Sequence, residues 1–199
     1  LSASVDMSHV TVVDASVGIE MHREHENEEE DEEHETQHAL HHHEHGLDPH
    51  IWLDLQNAAV MAENIAEAFA ERDPENASLY AKRGEAYTRE LLLLDQELKD
   101  TVAAGSRKDI VFGGQFAYGY FVDAYGLAFE SVYESCQAET EPSMSQMARV
   151  IEYMKENQVG VILYEPLSTA TVAGAIAETT GAEMAAFSTC HNVTRDEMA

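Results

Sequence analysis

Basic residues are scarce: Lys and Arg number 11 against 38 Asp and Glu, a formal net charge of −27. With no basic stripe to release phosphate counterions, most nucleic-acid readings are excluded, and adsorption to anionic lipid is disfavoured. Long apolar runs are missing too, none approaching 18 residues, so nothing reads as a membrane-spanning helix. The opening at Leu1 has no Met, no basic n-region and no apolar h-region. The chain therefore reads as a fragment, starting in the tail of a helix and stopping soon after a strand. It contains no G-x-S-x-G, H-E-x-x-H, Walker or G-x-G-x-x-G motif, so the expectation is that it is not an enzyme.

What is present starts with a hydrophobic share of 44% in 199 residues, enough for a packed core in one or two domains. An acidic surface concentrates cations. Nine of the eleven histidines fall between His22 and His50, and residues 20–48 hold twelve acids and one base, Arg23. This tract is too poor in apolar side chains to offset its ordering entropy, and it reads as a disordered loop over about residues 20–47. His22, His25, His34, His38, His41, His42, His43 and His45 would collect metal there, since imidazole suits zinc, copper and nickel while carboxylates neutralise charge. The bland alternative is a solvated acidic loop that binds nothing. A purification tag fits poorly, because the histidines are interleaved with acids inside the chain.

Around the tract the pattern is α/β. Val10–Ala15 reads as a buried strand and Gln56–Arg72 as an amphipathic helix broken by Asp73-Pro74. Asn76 is placed to cap a second helix running to about Ala104, long enough to link two lobes. Beyond it, strands at Ile110–Gly113, Ala128–Tyr133, Val159–Tyr164 and Glu183–Phe187 alternate with helices at Ala117–Tyr125, Ser143–Asn157 and Thr169–Thr180. Ser143 and Gln146 stand in capping-box spacing. Such alternation predicts a parallel sheet covered on both faces, with ligands beyond the strands' carboxyl ends. Three places there carry candidate chemistry: His50 in Asp48-Pro49-His50, Gln115 after DIVFGG, and His191 after EMAAF. A lone histidine is more often structural than a ligand, but two at element junctions raise the odds, and Asp48 could orient an imidazole.

DPHIWLDLQNAAVMAENIAEAF behind a His/acid-rich loop resembles the zinc-binding solute receptors of bacterial ABC importers, in the zinc/manganese cluster of substrate-binding proteins. GGQFAYGYF followed by DAYGL is similar to the strand-to-helix start of their second lobe, and the Cys136 and Cys190 segments look like a Gram-positive-type branch. The resemblance spans essentially the whole chain. It implies two lobes with parallel sheets flanked by helices, joined by a long spanning helix, the first lobe incomplete here. The implied division is 1–75 for the partial first lobe, 76–105 for the linking helix and 106–199 for the second lobe. Metal ligands map onto His50, His191 and Gln115; the last departs from the family's His or Glu, and a neutral amide oxygen is a weak zinc ligand. Either Gln115 is not a ligand or another group substitutes; Glu139, Glu141 and Glu165 are candidates by location, the commoner reading of each being a surface or structural acid.

The implied protein is extracytoplasmic, a cell-surface lipoprotein or periplasmic, held to the membrane only through an absent N-terminal anchor. It would be a monomer that captures Zn2+, in preference to Mn2+, in an interlobe cleft and passes it to an ABC importer permease. In that compartment Cys136 and Cys190 would form a disulfide closing a loop of about 53 residues, a contribution of about 4 kcal/mol in the chain-entropy picture. The rival is a pair of zinc thiolates, although structural zinc cysteines usually come in close pairs. The alternative function is a metal buffer or metallochaperone using mainly the His-rich loop.

Overall fold

A computed structural model describes residues 10–23, 46–133, 142–166 and 170–191. They fall into two compact units, one drawn from Leu1–Glu20 and Ile51–Ala104, the other from Met21–His50 and Gly105–Ala199. No helix among the described residues is long and apolar enough to cross a membrane.

The first unit is helical. After a 3-10 turn at Ile51–Leu53, helix α1 (Leu55–Arg72) starts where the Asp54 carboxylate accepts from Gln56 N–H at 2.8 Å. It stops at Asp73, which precedes proline and is pushed out of the helical region to φ −131°, ψ 76°. A 3-10 turn (Pro74–Asn76) leads into helix α2 (Ala77–Ala104). Asn76, expected as the cap of that helix, lies within the turn and donates to Asp73 Oδ2 at 2.8 Å, joined there by the Tyr80 hydroxyl at 2.9 Å. The corner is thus held by a carboxylate instead of a cap. At 28 residues α2 is about 42 Å long. The two helices approach closely at Gly84, where an added Cβ would sit 2.7 Å from the Ala66 methyl.

The expected strand at Val10–Ala15 does not form, and Val12 is 70% exposed. A strand needs a paired neighbour to satisfy its backbone, and every described strand belongs to a sheet in the other unit. The segment instead ends in an Asx turn, Asp14 accepting from Ser16 N–H at 2.9 Å, and Asn64 on α1 donates to the Ala15 and Val17 carbonyls.

The second unit holds strands β1 (Asp109–Phe112), β2 (Ala128–Ser131), β3 (Val161–Tyr164) and β4 (Glu183–Ala186) in one parallel sheet of order β2-β1-β3-β4. Helices α3 (Gly119–Tyr125), α4 (Met144–Glu156) and α5 (Thr171–Thr180) make the crossovers. The Ser143–Gln146 capping box forms as expected at the start of α4. Alternation along β1 buries both faces. Val111 packs with Val150, Met154, Ile162 and Ile176 beneath α4 and α5, while Phe112 stacks on Tyr118 at 4.3 Å. Gly113 ends β1 because α5 leaves no room for more: a Cβ there would meet Ala173 Cβ at 2.5 Å. With β1 and β3 adjacent, the sheet's topological switch point opens beyond their carboxyl ends.

Candidate metal centre

Two of the three expected ligands come together. His50 is 4% exposed and turned back on its own segment: the Asp48 carboxylate accepts from His50 N–H at 2.9 Å and contacts its Nδ1 at 2.6 Å. His191 lies exposed beyond β4, its Nδ1 2.7 Å from the Thr189 hydroxyl. The two imidazoles meet edge to face with ring centroids 4.8 Å apart, both within the second unit. Burial, reinforced by the neighbouring His50, holds the His191 imidazole below its usual value against an opposing pull from Glu165. The ring is thereby biased toward the neutral form that binds metals.

Gln115 is the third expected ligand. It stands exposed on the segment between β1 and α3, while Phe116, Ala117 and Tyr118 after it are buried in the aromatic cluster. Glu165 follows β3 directly and accepts from Thr189 N–H at 2.7 Å. Glu139 and Glu141 lie outside the described residues. Among the described residues no three His, Cys, Asp or Glu side chains converge closely enough to hold a metal.

The tract's ends are paired. Arg23 and Leu47 form an isolated antiparallel bridge, and Asp48 N–H donates to the His22 carbonyl at 3.0 Å. The His22 ring stacks on Tyr120 at 4.6 Å, with Nδ1 3.3 Å from Asp123 Oδ2 on α3. His25, His34, His38, His41, His42, His43 and His45 lie outside the described residues. Asp48 therefore touches both His22 and His50, a link that no one-dimensional spacing displays. Thr189 was equally hidden, because a threonine two residues before a histidine is unremarkable until the turn folds it back.

The expected Cys136–Cys190 disulfide is not found: the Cys190 thiol is free and exposed, and Cys136 lies outside the described residues. Cys190 occupies a left-handed turn at φ 56°, its Sγ 3.8 Å from the Ser188 carbonyl of its own loop. The loop that carries His191 is organised by hydrogen bonds to Glu165 and Ser188 instead.

Comparison with known proteins finds relatives along nearly the whole chain. The family model described as "ZnuA: Zinc-uptake complex component A periplasmic" matches residues 1–198. The high-affinity zinc uptake system protein ZnuA of Bacillus subtilis is 31% identical over 198 residues, 98% of this chain and 59% of that protein. The manganese-binding lipoprotein MntA of Halalkalibacterium halodurans is 30% identical over 142 residues, 70% of this chain and 47% of that protein. The solved metal-dependent lipoprotein YcdH from Bacillus subtilis superposes with a TM-score of 0.73 at 26% identity, over 98% of this chain and 65% of its own. This chain thus spans about half to three-fifths of the length of those two sequence relatives. The α/β architecture, the long helix and the match along nearly the whole sequence lead to one conclusion: the chain belongs to the ZnuA family of metal-binding substrate-binding proteins.

Proposed function

We propose that this chain is the metal-capturing part of an extracytoplasmic receptor whose cargo is Zn2+, delivered to the permease of an ABC importer. The observation that carries the reading is the pair of imidazoles 4.8 Å apart, each with Nδ1 engaged by an oxygen. Asp48 and Thr189 orient the rings and direct ligation to Nε2, as hydrogen-bonding partners behind metal-bound histidines do. Two imidazoles favour zinc over manganese, which prefers carboxylate and water. Zinc takes four donors, so the remaining ones come from water or from other side chains, Gln115 being one candidate. The printed names of the relatives support metal cargo of this class, zinc uptake for one and manganese binding for another.

The acidic, histidine-rich stretch between Arg23 and Gly46 acts as a low-affinity collector that raises the local Zn2+ concentration near His50. A metal buffer using mainly that stretch is the competing reading, favoured by its composition alone. Zn2+ and Mn2+ titration calorimetry separates the two. The receptor reading expects one tight Zn2+ site that survives deletion of the stretch, disappears in His50→Ala with His191→Ala, and binds Mn2+ more weakly. Loss of all binding on deletion would make the protein a buffer on an α/β scaffold.

A further inference from the structure

We propose that Glu165 is a positioning residue for His191, acting through Thr189 as Asp48 acts directly on His50. The proposal rests on the reading of His50 and His191 as metal ligands.

The parallel ladder between β3 and β4 continues one step past the strands, with Phe187 N–H donating to the Tyr164 carbonyl at 2.9 Å. In this register the next donor from the β3 side would be Pro166, which has no N–H. The Phe187 carbonyl is satisfied from elsewhere, by the hydroxyl of Tyr118. Released from the ladder, the chain turns, and Thr189 N–H donates to Glu165 Oε2 at 2.7 Å. A side-chain carboxylate thus takes over where backbone pairing ends.

Thr189 is 6% exposed and uses both of its polar groups, N–H to Glu165 and hydroxyl to His191 Nδ1 at 2.7 Å. Moving the carboxylate moves the threonine, and with it the imidazole. The second Glu165 oxygen lies 3.5 Å from the Ser188 hydroxyl, so both oxygens face the same loop. On the other side the Tyr118 hydroxyl is 3.4 Å from Oε2. Burial and the nearby carboxylate push that phenol far up, so it stays protonated and remains a donor. A carboxylate committed in this way orients a ligand; it does not present itself as one.

The test compares the full chain with Glu165→Ala, Glu165→Gln, Thr189→Val, the double Glu165→Ala/Thr189→Val, and His50→Ala. Tight-site Zn2+ affinity and the visible spectrum of the Co2+ form are the readouts, with circular dichroism on every variant. Glu165→Ala and Thr189→Val should each weaken Zn2+ binding about 10- to 100-fold, the range seen for partners behind a ligand. The double variant should be no weaker than either, because both act in one relay. Glu165→Gln keeps an oxygen for Thr189 N–H and should restore the parent affinity and Co2+ spectrum. Should Thr189→Val misfold, Thr189→Ser, which keeps the hydroxyl, should bind as the parent does. A Glu165→Gln protein as weak as Glu165→Ala, with an altered Co2+ spectrum, would make Glu165 a ligand and overturn the relay. Parent-like binding by Glu165→Ala would also overturn it. If His50→Ala leaves tight Zn2+ binding intact, the ligand reading itself fails, whatever the Glu165 variants do.

Discussion

At Asp109, the first residue of β1, opposing influences meet on one carboxylate. Burial pushes it up, but Arg107 at 2.7 Å and the Tyr153 hydroxyl at 3.2 Å prevail and hold it below its usual value of 3.8. A carboxylate whose folded value is depressed stabilises the fold above its unfolded value, and that stability is lost as pH falls through the folded one. Asp109→Asn should therefore cost about 1–2 kcal/mol at neutral pH, the size of a hydrogen bond to a charged group. The difference from the parent should shrink as pH drops below about 4. Urea melts of both proteins across that range check it, and a difference that grew toward acid would reverse the sign.

Individual elements were legible where a local signal and a tertiary need agreed. Helix α4 is the clearest case, because Ser143 and Gln146 satisfy each other's backbone at its first turn whatever packs around them. Ser143→Ala should cost about 1 kcal/mol, read as a lowered urea midpoint with an unchanged slope. The four strands of the sheet were each readable as short runs between helical stretches, most plainly the continuous apolar VILY of β3. Val10–Ala15 carries the same signature and is not a strand. Its pattern reports what the segment could bury, and a strand forms only where a neighbour pairs with it; no described strand pairing includes this segment. Asn76, expected as a cap, is instead the last residue of the Pro74–Asn76 3-10 turn that runs directly into α2, its side-chain amide donating to Asp73.

For the whole molecule, the absence of catalytic motifs agrees with membership of a family of uptake components rather than enzymes. The bridge between Arg23 and Leu47 makes a further expectation concrete. Because these residues already pair as antiparallel neighbours, replacing 24–46 with a two-residue Asn-Gly turn closes a hairpin without stretching the chain. The shortened protein should keep its circular dichroism spectrum and its cooperative unfolding, with the midpoint shifted only slightly. A broad, non-cooperative transition would show that the second unit depends on the excised residues.

The sequence alone determined the α/β class and the long helix, and nominated His50 and His191, because hydrophobic period and the DPH motif are local properties of the chain. It could not determine that His50 and His191, 141 positions apart in number, face each other at 4.8 Å. It offered Asp48 as the partner of one imidazole but not what holds the other. Asp48 reaches its histidine within one turn, whereas Glu165 reaches His191 only because parallel strands bring β3 and β4 side by side and Pro166 ends their ladder. The missing disulfide follows the same logic. Two cysteines in a sequence state a capacity for a bond, and among the described residues the Cys190 thiol is free. Composition sets what chemistry is at hand; long-range backbone pairing decides which groups meet to perform it.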